Sequence, residues 1–368
     1  MSRYDVVIIG AGIAGASLAA QVAPHARVLM LEAEDQPGYH ATGRSAAFWS
    51  ETYGGPDIQP LSIASEPFLR RPAADMGGES FLGPRGQLFI ATRADRHVLD
   101  RFAAEFAAAG VTLAETDPAA RCPGLRPQWT EGLWDPTCSD IDVARLHAAY
   151  LKRARARGAL VQTGARVEQA ERHGRGWRIE TRAGAFEAAI LVNAAGAWAD
   201  AVAAAAGEPV LGIQPYRRTL SQLRIDPPAP AGLPLVIDAC ARFYFKPEAG
   251  GRLWLSPHDE TACEAGDCAA EEYDVALAID RMQQAVDWRV ERVERSWAGL
   301  RSFAPDRLPV YGFAPGGRDF FWCAGQGGFG IQTAPAAARL AAALLLGREA
   351  DGLVAEIDPA PYLATRFG

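Results

Sequence analysis

A glycine-punctuated turn near the start of the chain constrains its fold more than any other feature. Residues 4–32 read YDVVIIGAGIAGASLAAQVAPHARVLMLE. An apolar run from Val6 stops at Gly10-Ala-Gly12-Ile-Ala14-Gly15. An Ala/Leu-rich stretch with helical character follows, and a second apolar run, 27–31, ends in Glu32. Gly10 permits the turn, Gly12 lets the main chain approach a pyrophosphate, Ala14 lies in the first helical turn, and Gly15 allows close packing of helix on strand. The phosphates would sit at the positive end of the helix, with Glu32 accepting from a ribose hydroxyl pair. Strand, turn, helix and acid-terminated strand together imply a dinucleotide site rather than a structural turn, and leave FAD and NAD open.

Length and charge narrow the class further. A chain of 368 residues exceeds one ordinary core and suits two closely packed domains. A net charge of -7 argues against nucleic acid or an anionic membrane as main partner. No apolar run approaches the ~20 residues of a membrane span. Strand sequence begins at once, without the basic region of a signal peptide, so a cytoplasmic enzyme is expected. The cysteines lack CxxC spacing and read as structural thiols. No metal is expected, even at Cys263 and Cys268, which flank an acidic loop.

The stretch 37–48, PGYHATGRSAAF, is small, polar and suited to packing against a cofactor, with Arg44 and Ser45 able to reach phosphate or ring. A turn at Gly83-Pro84, a strand from Gln87 and a helix over 96–109 interrupt this pattern and mark a first visit to a second domain. Asp142 is expected to cap a helix over 143–157, with Gly158 as its stop. Strands are expected at 166–170, 176–181 and 189–193, the last ending in Ala194-Ala195-Gly196, small residues that let the main chain approach the cofactor. From Gln214 the pattern becomes that of an antiparallel sheet, followed by a helix from about Glu271. A strand, a glycine loop at 325–330 and a helix over 333–346, with Pro335 in its first turn and Gly347 at its end, close the chain.

With GAGIAG, PGYHATGRSAA, VNAAGAWAD, FYFKP, WAGLRSF and GQGGFGIQT in this order, the chain resembles the FAD-dependent D-amino acid oxidase (DAO) family, and within it the bacterial D-arginine dehydrogenases. The resemblance implies an α/β fold: a Rossmann-type FAD-binding domain (1–80, 140–212 and 300–368) and an α+β domain with an antiparallel sheet that binds substrate (81–139 and 213–299). It implies FAD, held by Gly10, Gly12, Ala14, Gly15, Glu32, Val167, Ala195, Gly196 and Trp198. Arg44, Ser45 and Ala46 would lie beside the isoalloxazine, and Arg301, Gly328, Gly330, Ile331, Gln332 and Thr333 on its other approach. A helix N-terminus at the pyrimidine edge would stabilise charge gained on hydride transfer. Some relatives attach FAD through a cysteine shortly after the WAGLRSF-like segment; residues 302–311 contain none, so noncovalent FAD is expected.

The same resemblance makes Arg301 and Arg218 the carboxylate clamp, a task suited to a planar guanidinium fork. Strand alternation separates Arg218 from Arg217, and only the alignment chooses between them. Tyr53 and Tyr244 would bracket the substrate, with Phe48, Gln87, Gly328 and Gln332 lining its pocket. The implied reaction is oxidative deamination of a D-amino acid by hydride transfer to flavin N5, the imino acid then hydrolysing to 2-oxo acid and ammonia. No side-chain base is required, and His40, His147 and His258 read as structural or surface residues. In the D-arginine dehydrogenases Gln87 matches a glutamate and Phe48 a histidine. Their loss points to a neutral, apolar substrate, unless Arg242, two residues before Tyr244, enters the pocket and favours an acidic one. Oxidation of a secondary amine or a 2-hydroxy acid, and a non-catalytic flavoprotein, are the alternatives. The electron acceptor, oxygen or a quinone, and the oligomeric state stay open.

Overall fold

In the computed structural model, which describes residues 3–111 and 113–368, the opening run is the strand Arg3–Ile9, central in an eight-stranded sheet. It pairs in parallel with Val28–Leu31 on one side and Gly184–Asn193 on the other. Val6 to Ile9 are apolar without interruption because both faces of the sheet are covered. Val6 and Ile8 enter a core with the helices Ile13–Val22 and Gly330–Leu346. Val7 and Ile9 enter the opposite core with Trp177, Leu191 and Trp322. Leu160–Gln162 extends the sheet beyond Val28–Leu31, and Phe320–Ala324 pairs in parallel with Gly184–Asn193.

A nine-stranded sheet forms the second half. Its backbone is the long antiparallel pair Gln214–Asp226 and Arg289–Phe303, whose register sets Tyr216 opposite Arg301 and Arg218 opposite Gly299. The next strands, Arg252–Ser256, Tyr244–Glu248 and Leu235–Asp238, are also antiparallel. One junction is parallel: Leu235–Asp238 against Gln87–Ala91, with Leu235 opposite Gln87. That strand arrives from the earlier excursion of the chain, so its direction is set by a crossover rather than by a hairpin. The first sheet draws on 3–31, 160–193 and 310–324, the second on 87–135 and 214–303, and the strand Arg289–Phe303 runs past the boundary expected at residue 299.

The last helix begins at Gly330, three residues earlier than the sequence suggests, which moves Pro335 from its first turn into its interior. A proline there removes a helical N–H bond. Ser65, on the neighbouring helix Gln59–Arg70, reaches the disturbed turn: its hydroxyl accepts from Ala336 N (3.1 Å), while its own proton is shared between Leu61 O (2.7 Å) and Thr333 O (3.1 Å). The helix therefore continues to Gly347, whose φ of 63° closes it in the left-handed conformation. Asp142 caps the helix Val143–Ala156 by accepting from Arg145 N (3.0 Å).

Candidate active site

The glycine turn and the ends of the central strands form the floor of a long cleft. A side chain at Gly10, whose φ is 98°, would overlap the Ala194 carbonyl oxygen, and one at Gly15 would overlap the Gly10 carbonyl oxygen. The two strand ends and the helix start thus touch main chain to main chain, which only glycine permits. Ile13 N, in the first helical turn, donates to Thr42 Oγ1 (3.0 Å). Glu32, buried at the end of its strand, accepts from Ala11 N (2.9 Å) and Glu34 N (3.1 Å), which fixes its carboxylate at the cleft wall. His147 donates through Nε2 to Ala11 O (2.8 Å), bracing the turn from behind.

Gly10, Gly12, Ala14, Glu32, Arg44, Ser45, Ala46, Val167, Ala195, Gly196, Trp198, Arg301, Gly328, Gly330 and Ile331 all line this cleft. Gly15 lies beneath it. The side chains of Gln332 and Thr333 do not face it. Gln332 accepts from Ser50 N (3.1 Å) and donates to Tyr53 O (3.0 Å) and Ser62 Oγ (2.8 Å), while Thr333 Oγ1 donates to Phe329 O (2.9 Å). Both are tied into the start of the last helix and hold the pocket wall from behind. Arg44 is also committed elsewhere: its guanidinium pairs with Asp267 (2.5 Å) and donates to Cys268 O (3.1 Å) and Ala298 O (3.2 Å). It ties the 263–268 loop to the strand Arg289–Phe303 rather than offering itself to a phosphate. No cysteine lines the cleft among the described residues.

A second cavity, of about 300 Å³, abuts the cleft at Arg301 and Tyr244, which line both. Its size suits a small molecule. Phe48, Tyr53 and Gln87 line it as well. Phe48 packs on Tyr53 with centroids 4.9 Å apart, and Gln87 Oε1 is buried without a hydrogen-bond partner among the described residues. At the junction, a Cβ on Gly328 would overlap the Tyr53 hydroxyl and lie 2.9 Å from Arg301 Cζ, so the glycine makes room for both groups.

The two neighbouring arginines of the long strand part ways as alternation requires. Arg217 turns outward to Glu271 and to Asp274 (2.8 Å). Arg218 is 5% exposed and lines the cleft. Its Nε donates to Asp259 O (2.5 Å), its nearest carboxylate oxygen is 3.9 Å away, and its Nη1 has no partner among the described residues. Burial, then the charge of Arg301, pushes the Arg218 pKa down to about 10. Arg301 faces Tyr53 (5.8 Å to the ring centroid) and is in no ion pair among the described residues. Arg218 is buried and Arg301 half-buried; the two repel each other, and the carboxylate nearest Arg218, that of Asp259, stands 3.9 Å away and is shared with Arg217, so the pair forms a site for an anion.

Arg242 does not enter this site. It precedes the strand rather than lying on it, and it pairs with Asp238 (2.6 Å) and Asp95 (3.1 Å) outside the cavity. Asp238, fully buried in the cavity wall, is thereby neutralised. Several contributors escape the sequence reading, Phe89 and Phe102 among the apolar ones. Arg101 and Glu105 reach the cavity mouth from the helix Arg96–Ala108. His258 lines the cavity against Tyr244, with ring centroids 5.4 Å apart. The only trace of His258 in the sequence is its place two residues past the strand Arg252–Ser256, where a loop leaves the sheet.

Burial pushes the His258 pKa down to about 2, aided by the charges of Arg218 and Arg301, and burial also lowers that of His147. Above about pH 7 both rings are neutral folded or unfolded and add nothing to the pH dependence of stability. Below their ordinary value of 6.5 the unfolded chain takes up protons that the folded chain refuses, so stability falls as pH falls. Between pH 7 and 5, His258→Asn should flatten the decline in the denaturant midpoint by up to about one proton's worth of slope. Parallel wild-type and variant curves would show that the ring is not held neutral.

Comparison with known proteins bears on this arrangement. A family model described as FAD dependent oxidoreductase (DAO) matches residues 5–344. Glycine oxidase of Geobacillus kaustophilus is 24% identical over 381 residues, covering 99% of this chain and 97% of that protein. The bifunctional protein ThiO/ThiG of Synechocystis sp. is 27% identical over 66% of this chain, which spans only 36% of that longer protein. The crystal structure of the Geobacillus kaustophilus glycine oxidase superposes with a TM-score of 0.86, covering 100% of this chain and 99% of the other at 24% identity.

Proposed function

The chain belongs to the DAO family of FAD-dependent oxidoreductases, and from that premise we propose that it oxidises the Cα–N bond of a neutral, apolar D-amino acid. The product imino acid hydrolyses to a 2-oxo acid and ammonia. The observation that carries this reading is the guanidinium pair at the junction of cleft and cavity: Arg301 is in no ion pair among the described residues, and buried Arg218 has an unpartnered Nη1 and its nearest carboxylate, Asp259, 3.9 Å away and shared with Arg217. A substrate α-carboxylate supplies the missing charge and aligns on the planar forks.

The fold supports FAD through its glycine-lined floor and the fixed Glu32 carboxylate. In this reading the segments of the eight-stranded sheet hold FAD and those of the nine-stranded sheet hold substrate. Bound FAD supplies the two-electron acceptor. The chain's own residues bind, orient and exclude water. Arg301 and Arg218 fix the carboxylate, Tyr53 and Tyr244 flank the α-carbon region, and Phe48, Phe89 and Phe102 give the substrate side chain an apolar wall. Gln87 is uncharged and Asp238 is paired with Arg242, so no buried free acid offsets the desolvation of a cationic side chain. Among the described residues the only acid at the mouth, Glu105, is exposed and accompanied by Arg101.

Anaerobic bleaching of the flavin absorbance tests this directly. Among D-methionine, D-phenylalanine, D-arginine, D-glutamate, sarcosine and a 2-hydroxy acid, the first two should give the highest kcat/KM. D-arginine in first place would sink the Gln87 argument. Bleaching by sarcosine or the hydroxy acid alone would move the chain to an alternative substrate class, and none at all would leave a non-catalytic flavoprotein.

A further inference from the structure

The second cavity contains a group that the proposed reaction does not yet use. His258 lines it together with Arg301, Tyr53 and Tyr244. Its main-chain N donates to Ser256 Oγ (3.1 Å), but its Nδ1 is buried without a hydrogen-bond partner among the described residues. A neutral imidazole has one donor and one acceptor nitrogen. Leaving a buried N–H unpaired is the rarer and costlier arrangement, which places the proton on Nε2.

The backbone carries a second, independent sign. His258 has a φ of 58°, in the left-handed region that side chains rarely adopt, and Ala241, at 56°, lines the same cavity. Such conformations persist where surrounding contacts over-determine them and cluster at ligand sites. Its surroundings also choose its chemistry. Burial, and then the charges of Arg218 and Arg301, disfavour a third positive charge there, so the ring stays neutral. A neutral N–H can still stand beside two guanidiniums and serve the same anion.

We propose that His258 is a third, uncharged ligand of the substrate carboxylate, donating Nε2–H to the anion that Arg301 and Arg218 attract. This rests on the carboxylate-clamp reading above. Together the three groups combine two charges for attraction with one directional donor for orientation, and the arrival of the anion relieves the repulsion between the arginines and gives the imidazole a partner.

The test uses the FAD-loaded enzyme and benzoate as a simple carboxylate, followed by the perturbation of the flavin absorbance. His258→Gly removes the ring at a backbone conformation that glycine adopts freely, and His258→Asn keeps a donor in a residue that tolerates positive φ. The glycine variant should weaken benzoate binding by roughly tenfold to a hundredfold, the range for a hydrogen bond to a charged group. KM for the best D-amino acid should rise by a similar factor, while the limiting rate of bleaching changes less than about threefold. The asparagine variant should recover most of the affinity. A glycine variant that retains its FAD and binds benzoate like the wild type overturns the proposal, as does one that loses limiting rate with benzoate affinity unchanged. Should the glycine variant lose FAD, His258→Ala, which likewise lacks a donor, takes its place, and benzoate bound within about fivefold of wild type overturns the proposal. Wild-type enzyme blind to benzoate would bring down the clamp itself, whereas loss of binding in Arg301→Ala but not in His258→Gly removes only the histidine.

Discussion

Arg301→Ala is expected to leave the protein folded and yellow and to remove nearly all of its activity. Arg301 is in no ion pair that its loss would break, and its removal relieves the charge on Arg218. Stability should therefore hold or rise slightly. What disappears is one arm of the clamp, and deleting one partner of a buried charge-assisted pair costs about 2–5 kcal/mol, or thirty-fold to several thousand-fold in kcat/KM. Arg301→Lys should recover little, because a point charge cannot reproduce a two-pronged hydrogen bond. Steady-state kinetics with the best substrate decides: a loss below about fivefold would place Arg301 outside the substrate's contacts.

Gly10→Ala should empty the cleft of its cofactor. At φ 98° the new Cβ meets the carbonyl oxygen of Ala194, the residue just past the parallel strand Gly184–Asn193, which is held there by its N–H to Ile9 O (2.9 Å). The left-handed conformation alone costs an alanine about 1–2 kcal/mol, and the overlap forces apart two strand ends that form the floor of the cleft. The purified variant should contain less than about a tenth of the wild-type flavin, or fail to accumulate as folded protein. Gly55→Ala is the control: its φ is 85°, but its Cβ would meet nothing within 4 Å, so it should lose only the conformational part and keep its FAD. Equal flavin content in the two variants would mean that the close approach of the strands is not what Gly10 provides.

How much of this was legible in advance depended on the distance over which each signal acts. The opening strand, turn and helix are local, and the residues that specify them lie within one another's reach: the strand ends one residue before Gly10 and the helix starts one after Gly12. The same holds for the Asp142 cap. The start of the last helix was misread by three residues because Pro335 normally marks a first turn. Here Ser65, 270 positions away from Pro335 in the chain, satisfies the helix from outside.

The site divides along the same line. Alternation along one strand separates Arg217 from Arg218, a fact internal to that strand, although which of them faces inward depends on the sheet above it. Arg44 is spent on Asp267, Arg242 on Asp238 and Asp95, and Gln332 on Ser50 and Ser62. No periodicity encodes such pairings, because a long polar side chain takes whichever partner the assembled fold brings within about 3 Å.

The amino-acid sequence alone thus determined the dinucleotide turn and the order of strands and helices, since these follow from φ preferences and from the periods of strand and helix, whereas the roles expected of single site residues came from the family resemblance. The tertiary structure decided which charges remain unspent. Arg301 is left in no ion pair among the described residues, and Arg218 has its nearest carboxylate 3.9 Å away, while Arg44, Arg217 and Arg242 are neutralised, and His258 is brought from a loop into the cavity that Arg301 lines. Coulomb energy and hydrogen bonding depend on separation in space, and that separation is fixed only when both sheets have closed on each other.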